Sequence, residues 1–277
     1  MAAKAKTPEA ASGEMEIKVF DVDGQLLRTG IRRGASDRPP LLMFNGIGAN
    51  LELARPLMEH LTDTTGIIFD VPGVGGSPMP TFPYRPSSLA RMARRLCEIL
   101  GYDEIDVSGV SWGGGMAQQF AFQYPGFCRK LILAATAPGI TMFPGTPSVL
   151  SKMASPRRYT DPGYMRSIAS DIYGGAFRHD PMLIAHHAAA MKGATQGGYM
   201  LQLVAMFGWT SLPWLWLLRQ PTLIMAGEDD PLVPLINAKI MHSMIPNSRL
   251  EVFEDGHLFM VTRPQESARM IEDFLRE

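Results

Sequence analysis

The stretch Gly109-Val110-Ser111-Trp112-Gly113 restricts this chain more than any other. A run containing Ile105 and Val107 enters it with strand character, and Met116, Ala117, Phe120 and Tyr124 leave it at helical spacing. Ser111 is therefore expected on a sharp strand-to-helix turn, the arrangement called a nucleophile elbow. The flanking glycines let two backbone segments pass closely. The turn lifts the Ser111 hydroxyl out of the sheet and aims the Trp112 N–H at developing negative charge. Five residues of this pattern recur by chance, and the strand–turn–helix context is what separates Ser111 from an ordinary loop serine.

The flanking chain supplies the rest of such a sheet. Glu16 to Arg33 reads as two strands around Asp21-Val22-Asp23-Gly24, an edge hairpin. Leu41–Phe44 and Gly66–Phe69 are continuous apolar runs of the kind buried on both faces of a parallel sheet. Between them, 50–61 reads as a helix with Asn50 as its N-cap, and 87–100 is an amphipathic helix. Strands are expected at 130–137, 221–226 and 249–253, with helices at 234–245 and 264–275. Strand alternating with helix indicates an α/β fold with a mostly parallel sheet.

Between Pro138 and Gln220 the alternation stops, in a segment rich in Met, Trp, Gly and Pro. A structureless connection of that length is improbable inside a compact domain, so 138–220 is expected to be an inserted helical cap. The domain reading is thus a core of 16–137 and 221–277, the cap, and a disordered polar extension over 1–15.

Loops at the carboxyl ends of parallel strands converge at one edge. Three such loops carry Ser111, Asp230 and His257, in the Ser…Asp…His order of α/β-hydrolases. Serine is a weak nucleophile until an imidazole takes its proton, and a carboxylate must hold that imidazole in the right tautomer. His257 follows a strand in a Gly-His turn, whereas His60, His179, His186, His187 and His242 fall on presumed helices or in the cap and suit surface or capping roles. Asp229 and Asp230 both compete for the acid. Asp230 is preferred because Pro231 forces it into an extended conformation. Backbone N–H groups of Ile47 and Trp112 are the expected oxyanion donors, with Gly46 permitting the tight turn and the Asn45 amide bracing that loop or reaching substrate.

Other chemistries are disfavoured. Gly73-x-Gly75 and Gly46-x-Gly48 lack the third glycine and the acidic partner of a dinucleotide site. A formal net charge of -1, from 26 basic and 27 acidic residues, leaves no footprint for nucleic acid. No histidine spacing suggests a metal, and no cofactor is required. Cys97 and Cys128, both taken to lie in or at the end of helices, read as reduced, partly buried hydrophobes, which fits a cytoplasmic protein. The polar N-terminus lacks the apolar core of a signal peptide, and Pro213 breaks the most apolar run, so no transmembrane segment is expected.

The chain resembles the intracellular poly(3-hydroxyalkanoate) depolymerases of the α/β-hydrolase superfamily, from about Ile17 to its C-terminus. The resemblance rests on F-N-G-I-G-A-N-L-E-L (44–53), D-V-P-G-V-G-G-S (70–77), G-V-S-W-G-G (109–114) and M-A-S-P-R-R-Y (153–159). I-Y-G-G (172–175), G-W-T-S (208–211), D-D-P-L-V-P-L-I-N (229–237) and D-G-H-L-F (255–259) extend it. The loops around Ser111, Asp230 and His257 indicate only the superfamily, and the cap motifs point to the family. It implies a serine esterase acting on medium-chain-length storage polyester, with nucleophile Ser111, acid Asp230 and base His257, working at the granule surface. The long polar N-terminal extension departs from the family pattern. Rival readings are a small-molecule esterase or C–C bond hydrolase with the same triad, and a non-catalytic granule-binding module. In the cap, the tryptophans Trp209, Trp214 and Trp216 are expected to line an acyl channel or its mouth, with Met142, Met153, Met165, Met182, Met191, Met200 and Met206 supplying adaptable apolar surface.

Overall fold

Strands that are apolar on both faces need helices on both, and the structure supplies them. The computed structural model describes residues 13–155, 157–190 and 195–277, the side chains of 159, 160 and 190 excepted. Strands β1 (Glu16–Val22) and β2 (Gln25–Arg32) form the hairpin, closed by Asp23 and Gly24 at positive φ. Then come β3 (Leu41–Phe44), α1 (Arg55–His60), β4 (Gly66–Phe69), α2 (Pro86–Ile99), β5 (Ile105–Val110), α3 (Trp112–Gln123) and β6 (Cys128–Ala134). After the intervening segment follow β7 (Thr222–Gly227) and β8 (Ser248–Phe253). These strands form one sheet in the order β1-β2-β4-β3-β5-β6-β7-β8, antiparallel through β1, β2 and β4 and parallel from β4 onward.

Residues 138–220 hold α4 (Pro147–Ala154), α5 (Arg157–Thr160), α6 (Pro162–Tyr173), α7 (Pro181–Ala190) and α8 (Gln196–Met206). Short 3-10 turns lie at Gly175–Arg178 and Leu212–Leu217. The only pairing involving the described residues of this segment is an isolated bridge between Gly139 and Thr210. The chain ends with α9 (Ile236–Met244), between β7 and β8, then α10 (Phe259–Thr262) and α11 (Pro264–Arg276).

Alternation along β3 divides the core. Leu42 and Phe44 join the cluster under α2 and α3, while Leu41 and Met43 join the one under α1 and α11. Each fully buried leucine of this kind is worth about 2–5 kcal/mol against alanine. Met165, Ile168, Ile172 and Phe177 form a separate apolar cluster around α6, closed by Leu232 of the β7–α9 loop.

Several sequence expectations are corrected. The 50–61 helix begins as a 3-10 turn, Leu51–Ala54, and Asn50 makes no side-chain cap bond. The Leu51 N–H instead donates to Asp70 Oδ1 at 2.7 Å, so the capping carboxylate comes from the end of β4. Strand β6 starts at Cys128, which therefore lies in the sheet rather than at a helix end. Both thiols are buried, and burial pushes Cys97 up to about 12 and Cys128 well above its ordinary value. Met15 is not part of a solvated extension. It is buried against Gly30, whose missing side chain leaves the space. The expected disorder of 1–12 falls outside the described residues.

The glycine loop 73–76 wraps around its own carboxylate: Gly76 N–H donates to Asp70 Oδ2 at 2.8 Å, and a β-carbon on Gly75 would strike that group. Among the described residues no helix is long and apolar enough to cross a membrane.

Candidate active site

Ser111 sits at φ 54° and ψ −119°, between the end of β5 and the first turn of α3. A non-glycine residue is strained there by roughly 1–3 kcal/mol, a cost the surroundings must offset. Ser111 N–H donates to Ala134 O at 2.9 Å, and Ser111 O accepts from Gly114 N–H at 2.9 Å and Thr136 Oγ1 at 2.7 Å. The flanking glycines have a steric reason. A β-carbon on Gly109 would strike Gly113 O, and one on Gly113 would strike Phe44 O at the end of β3. The loop after β3 lies in ordinary contact with the elbow, where a β-carbon on Gly46 would be 3.9 Å from Ser111 Cβ, so, against the sequence expectation, the turn does not require a glycine there.

Asp230 and His257 come from the loops after β7 and β8. Both are buried, with Asp230 Oδ2 2.7 Å from His257 Nδ1. The other oxygen, Oδ1, accepts from the N–H groups of Leu232 and Val233 at 2.9 and 2.8 Å. A carboxylate bonded at Nδ1 selects the tautomer with its proton there and leaves Nε2 as the acceptor.

Asp229, the alternative acid, faces away. It pairs with Arg178, Nε to Oδ2 at 2.7 Å and Nη2 to Oδ1 at 2.9 Å, and the guanidinium lowers its carboxyl below the usual range.

Ser111 and His257 wall one cavity of about 100 Å³, with Asn45, Gly46 and Ile47 along another side. A second, more open cleft of about 390 Å³ is lined by Trp112, Ile140, Met142, Leu203, Met206 and Phe207. Ser111, Met153 and Leu232 belong to both walls, so the serine stands where the two meet. Asn45 braces its own loop, Nδ2 donating to Asn50 O at 2.7 Å and Oδ1 accepting from Gly46 N–H at 3.0 Å.

Three expectations about the cap change. None of the three tryptophans lines either cavity. Trp209 is buried with its indole N–H on Gln119 Oε1 at 2.9 Å, and Trp214 stacks on Phe122 with ring centroids 4.4 Å apart. On α3 the Trp209 indole thus finds an acceptor and Trp214 a ring to stack on. Trp216 is 53% exposed and bonds only within its own turn, to Pro213 O.

Of the methionines, Met142, Met153 and Met206 line the cavities, Met165 is core, and Met182 and Met200 are exposed. Met191 lies outside the described residues.

His187 is not on the surface. It is 7% exposed in the wall of the inner cavity, with Nε2 3.4 Å from Tyr173 OH. Burial, and then the nearby Arg158 cation, push it down to about 4, so it is a neutral imidazole.

Tyr173 ties α6 to the loop that carries His257, its main-chain oxygen accepting from His257 N–H at 2.7 Å. The sequence signal for that contact was Gly174-Gly175. Both have positive φ, and β-carbons there would strike Asp229 O and Asp255 Oδ1. Among the described residues no cluster of three or more His, Cys, Asp or Glu side chains could hold a metal.

A family model for the α/β hydrolase fold matches residues 39–190. The poly(3-hydroxyalkanoate) depolymerase of Ectopseudomonas oleovorans is 51% identical over 261 residues, 94% of this chain and 92% of that one. The 3-oxoadipate enol-lactonase 2 of Acinetobacter baylyi is 25% identical over 257 residues, 88% of this chain and 91% of its own. The esterase from Exiguobacterium antarcticum superposes with a TM-score of 0.79 at 23% identity, covering 96% of this chain and all of its own, and supports the fold alone. This chain therefore belongs to the α/β hydrolase fold family, in the group of the poly(3-hydroxyalkanoate) depolymerases.

Proposed function

We propose that this protein is a serine esterase that hydrolyses the ester links of medium-chain-length poly(3-hydroxyalkanoate), releasing 3-hydroxy acids or short oligomers. The observation that carries the reading is the meeting of Ser111 with the His257–Asp230 pair in one largely apolar cavity, in a chain half identical to such a depolymerase.

In this reaction Ser111 Oγ attacks the ester carbonyl while His257 Nε2 takes its proton. Asp230 holds the imidazole and stabilises the cation that forms. The N–H of Trp112, first residue of α3 and next to Ser111, and that of Ile47, in the loop after β3 that lines the same cavity, receive the tetrahedral oxyanion. His257 then protonates the departing alkoxide, and water activated by the same ring releases the acyl group.

Residues 138–220 act as the cap over this site. Met142, Met153 and Met206 give the cleft walls that can follow alkyl side chains of varied length. Around the mouth of the outer cleft, Ile140, Leu203 and Phe207 are solvent-exposed, an apolar rim suited to resting on a storage granule inside the cell.

The test is to incubate the protein with medium-chain and short-chain polyester suspensions side by side and identify the acids released, with Ser111→Ala as control. Release from the medium-chain polymer, abolished in Ser111→Ala, is the expected result. Turnover of a p-nitrophenyl ester without polymer hydrolysis would make the protein a small-molecule esterase. Loss of neither activity in Ser111→Ala would overturn the triad.

A further inference from the structure

Gln202 interrupts the apolar run Met200–Met206 of α8 and is almost fully buried. A buried amide is costly unless its polar atoms are bonded. Its Oε1 accepts from the Gly48 N–H at 2.7 Å, and the main-chain oxygen of the same residue accepts from the Trp112 indole Nε1 at 3.0 Å. Gly48 follows Ile47, and Trp112 follows Ser111. One residue of α8 therefore grips both segments that supply the oxyanion donors.

We propose that Gln202 is a positioning residue of the esterase, fixing from the cap segment the separation of the Ile47 and Trp112 N–H groups. The proposal rests on the reaction argued above. The β3–β5 pairing and the close pass of Gly113 fix the start of the 45–50 loop against the elbow, and the Asn45 bonds hold the loop to itself; the two Gln202 bonds add the tie between its Gly48 end and Trp112. Helix α8 is a firm reference for them. Arg85 donates to Val204 O at 3.1 Å and Phe207 O at 2.9 Å, and Thr195 Oγ1 donates to Gly73 O at 3.2 Å. Oxyanion donors work only within hydrogen-bond reach of the position the charged oxygen will take, so a loop released by a few tenths of an ångström loses transition-state binding before it loses substrate binding.

The test uses Gln202→Met, which keeps length and apolar packing but removes the acceptor. On a soluble p-nitrophenyl ester, kcat should fall roughly 10- to 100-fold, short of the full loss of a donor. KM should stay within about twofold, the signature of an interaction made only in the transition state. Affinity for an alkyl boronic acid, which forms a tetrahedral adduct on Ser111, should fall by the same factor as kcat/KM, while affinity for a 3-hydroxy acid product is retained.

Trp112→Phe removes the indole bond, together with part of the outer cleft wall, and should shift kcat and boronate affinity in the same direction. The double variant should lose less than the product of the two single losses, because both bonds hold one geometry. If Gln202→Met does not fold, Trp112→Phe decides on the same measurements. Unchanged kcat and boronate affinity, or a loss confined to KM and product affinity, would overturn the proposal. Ser111→Ala separates the two readings. Turnover surviving in that variant removes the esterase itself, whereas an inactive Ser111→Ala beside a fully active Gln202→Met removes only the positioning role.

Discussion

Asp230 Oδ2 accepts from His257 Nδ1 at 2.7 Å, while Asp230 Oδ1 is pinned by two backbone N–H groups of the turn that follows it. A carboxylate engaged at both oxygens has one orientation, so it sets the imidazole plane rather than following it. Asp229, one residue earlier, turns onto the half-exposed Arg178 instead.

Asp230→Asn should therefore lower kcat by about 10³- to 10⁴-fold on a soluble ester by selecting the wrong histidine tautomer. Asp229→Asn removes an exposed ion pair worth about 0–1 kcal/mol and should leave kcat within tenfold. Steady-state kinetics of the two variants check the assignment, and the reverse order of damage would move the acid to Asp229.

The backbone at Ser111 separates activity from stability. Ser111→Ala and Ser111→Gly should both be inactive, yet glycine tolerates φ 54° whereas alanine keeps the strain. Thermal unfolding should place the glycine variant above the alanine variant by on the order of 1 kcal/mol. Equal melting temperatures would show that the elbow is not strained.

His187 makes stability depend on acid. Its folded value of about 4 lies below the ordinary 6.5, so the unfolded chain binds the proton first. The stability this burial contributes is fully present above about pH 6.5 and is lost as pH falls toward 4, by about 3 kcal/mol at that point. Urea unfolding of His187→Gln at pH 7 and pH 4.5 should show a shallower decline than the parent. An equal decline would mean that His187 is already protonated in the folded protein.

Polymer and soluble substrates should part at the rim of the cleft. Phe207 is 77% exposed beside the outer cleft, so Phe207→Ser should weaken granule attachment and polymer hydrolysis while a short p-nitrophenyl ester is turned over nearly as before. Trp216→Ser, on a turn away from both cavities, should change neither rate. A polymer defect in Trp216→Ser alone would return the granule contact to the tryptophan turn.

The periodicities that name elements are local, and they were legible. The apolar runs 41–44 and 66–69, the Asp-Gly hairpin and the strand–turn–helix at Ser111 each depend on residues a few positions apart. The fold class followed from their alternation, and the candidate triad from chain order and strand-end position. The start of the 50–61 helix was misread because its capping carboxylate, Asp70, arrives from another strand.

Composition alone could not tell which side chains of residues 138–220 line the cavities. Trp209 and the methionines Met142 and Met206 are all apolar on paper, but the Gln119 amide oxygen took the indole N–H onto α3, while the methionines line the cleft. His187 looked like any helix histidine until packing buried it against Tyr173. Nothing local singles out Gln202, whose partners Gly48 and Trp112 lie 154 and 90 residues away in the chain. Sequence by itself determined the strands and the elbow, because each is written in neighbouring residues, and it supplied the chain order of the candidate triad. Tertiary structure showed that Asp230, favoured over Asp229 by its proline, meets the imidazole, and it alone decided what lines the cavity and what joins Gly48 to Trp112. Those are contacts between distant segments, and a hydrogen bond is satisfied by whatever partner folding brings within about 3 Å.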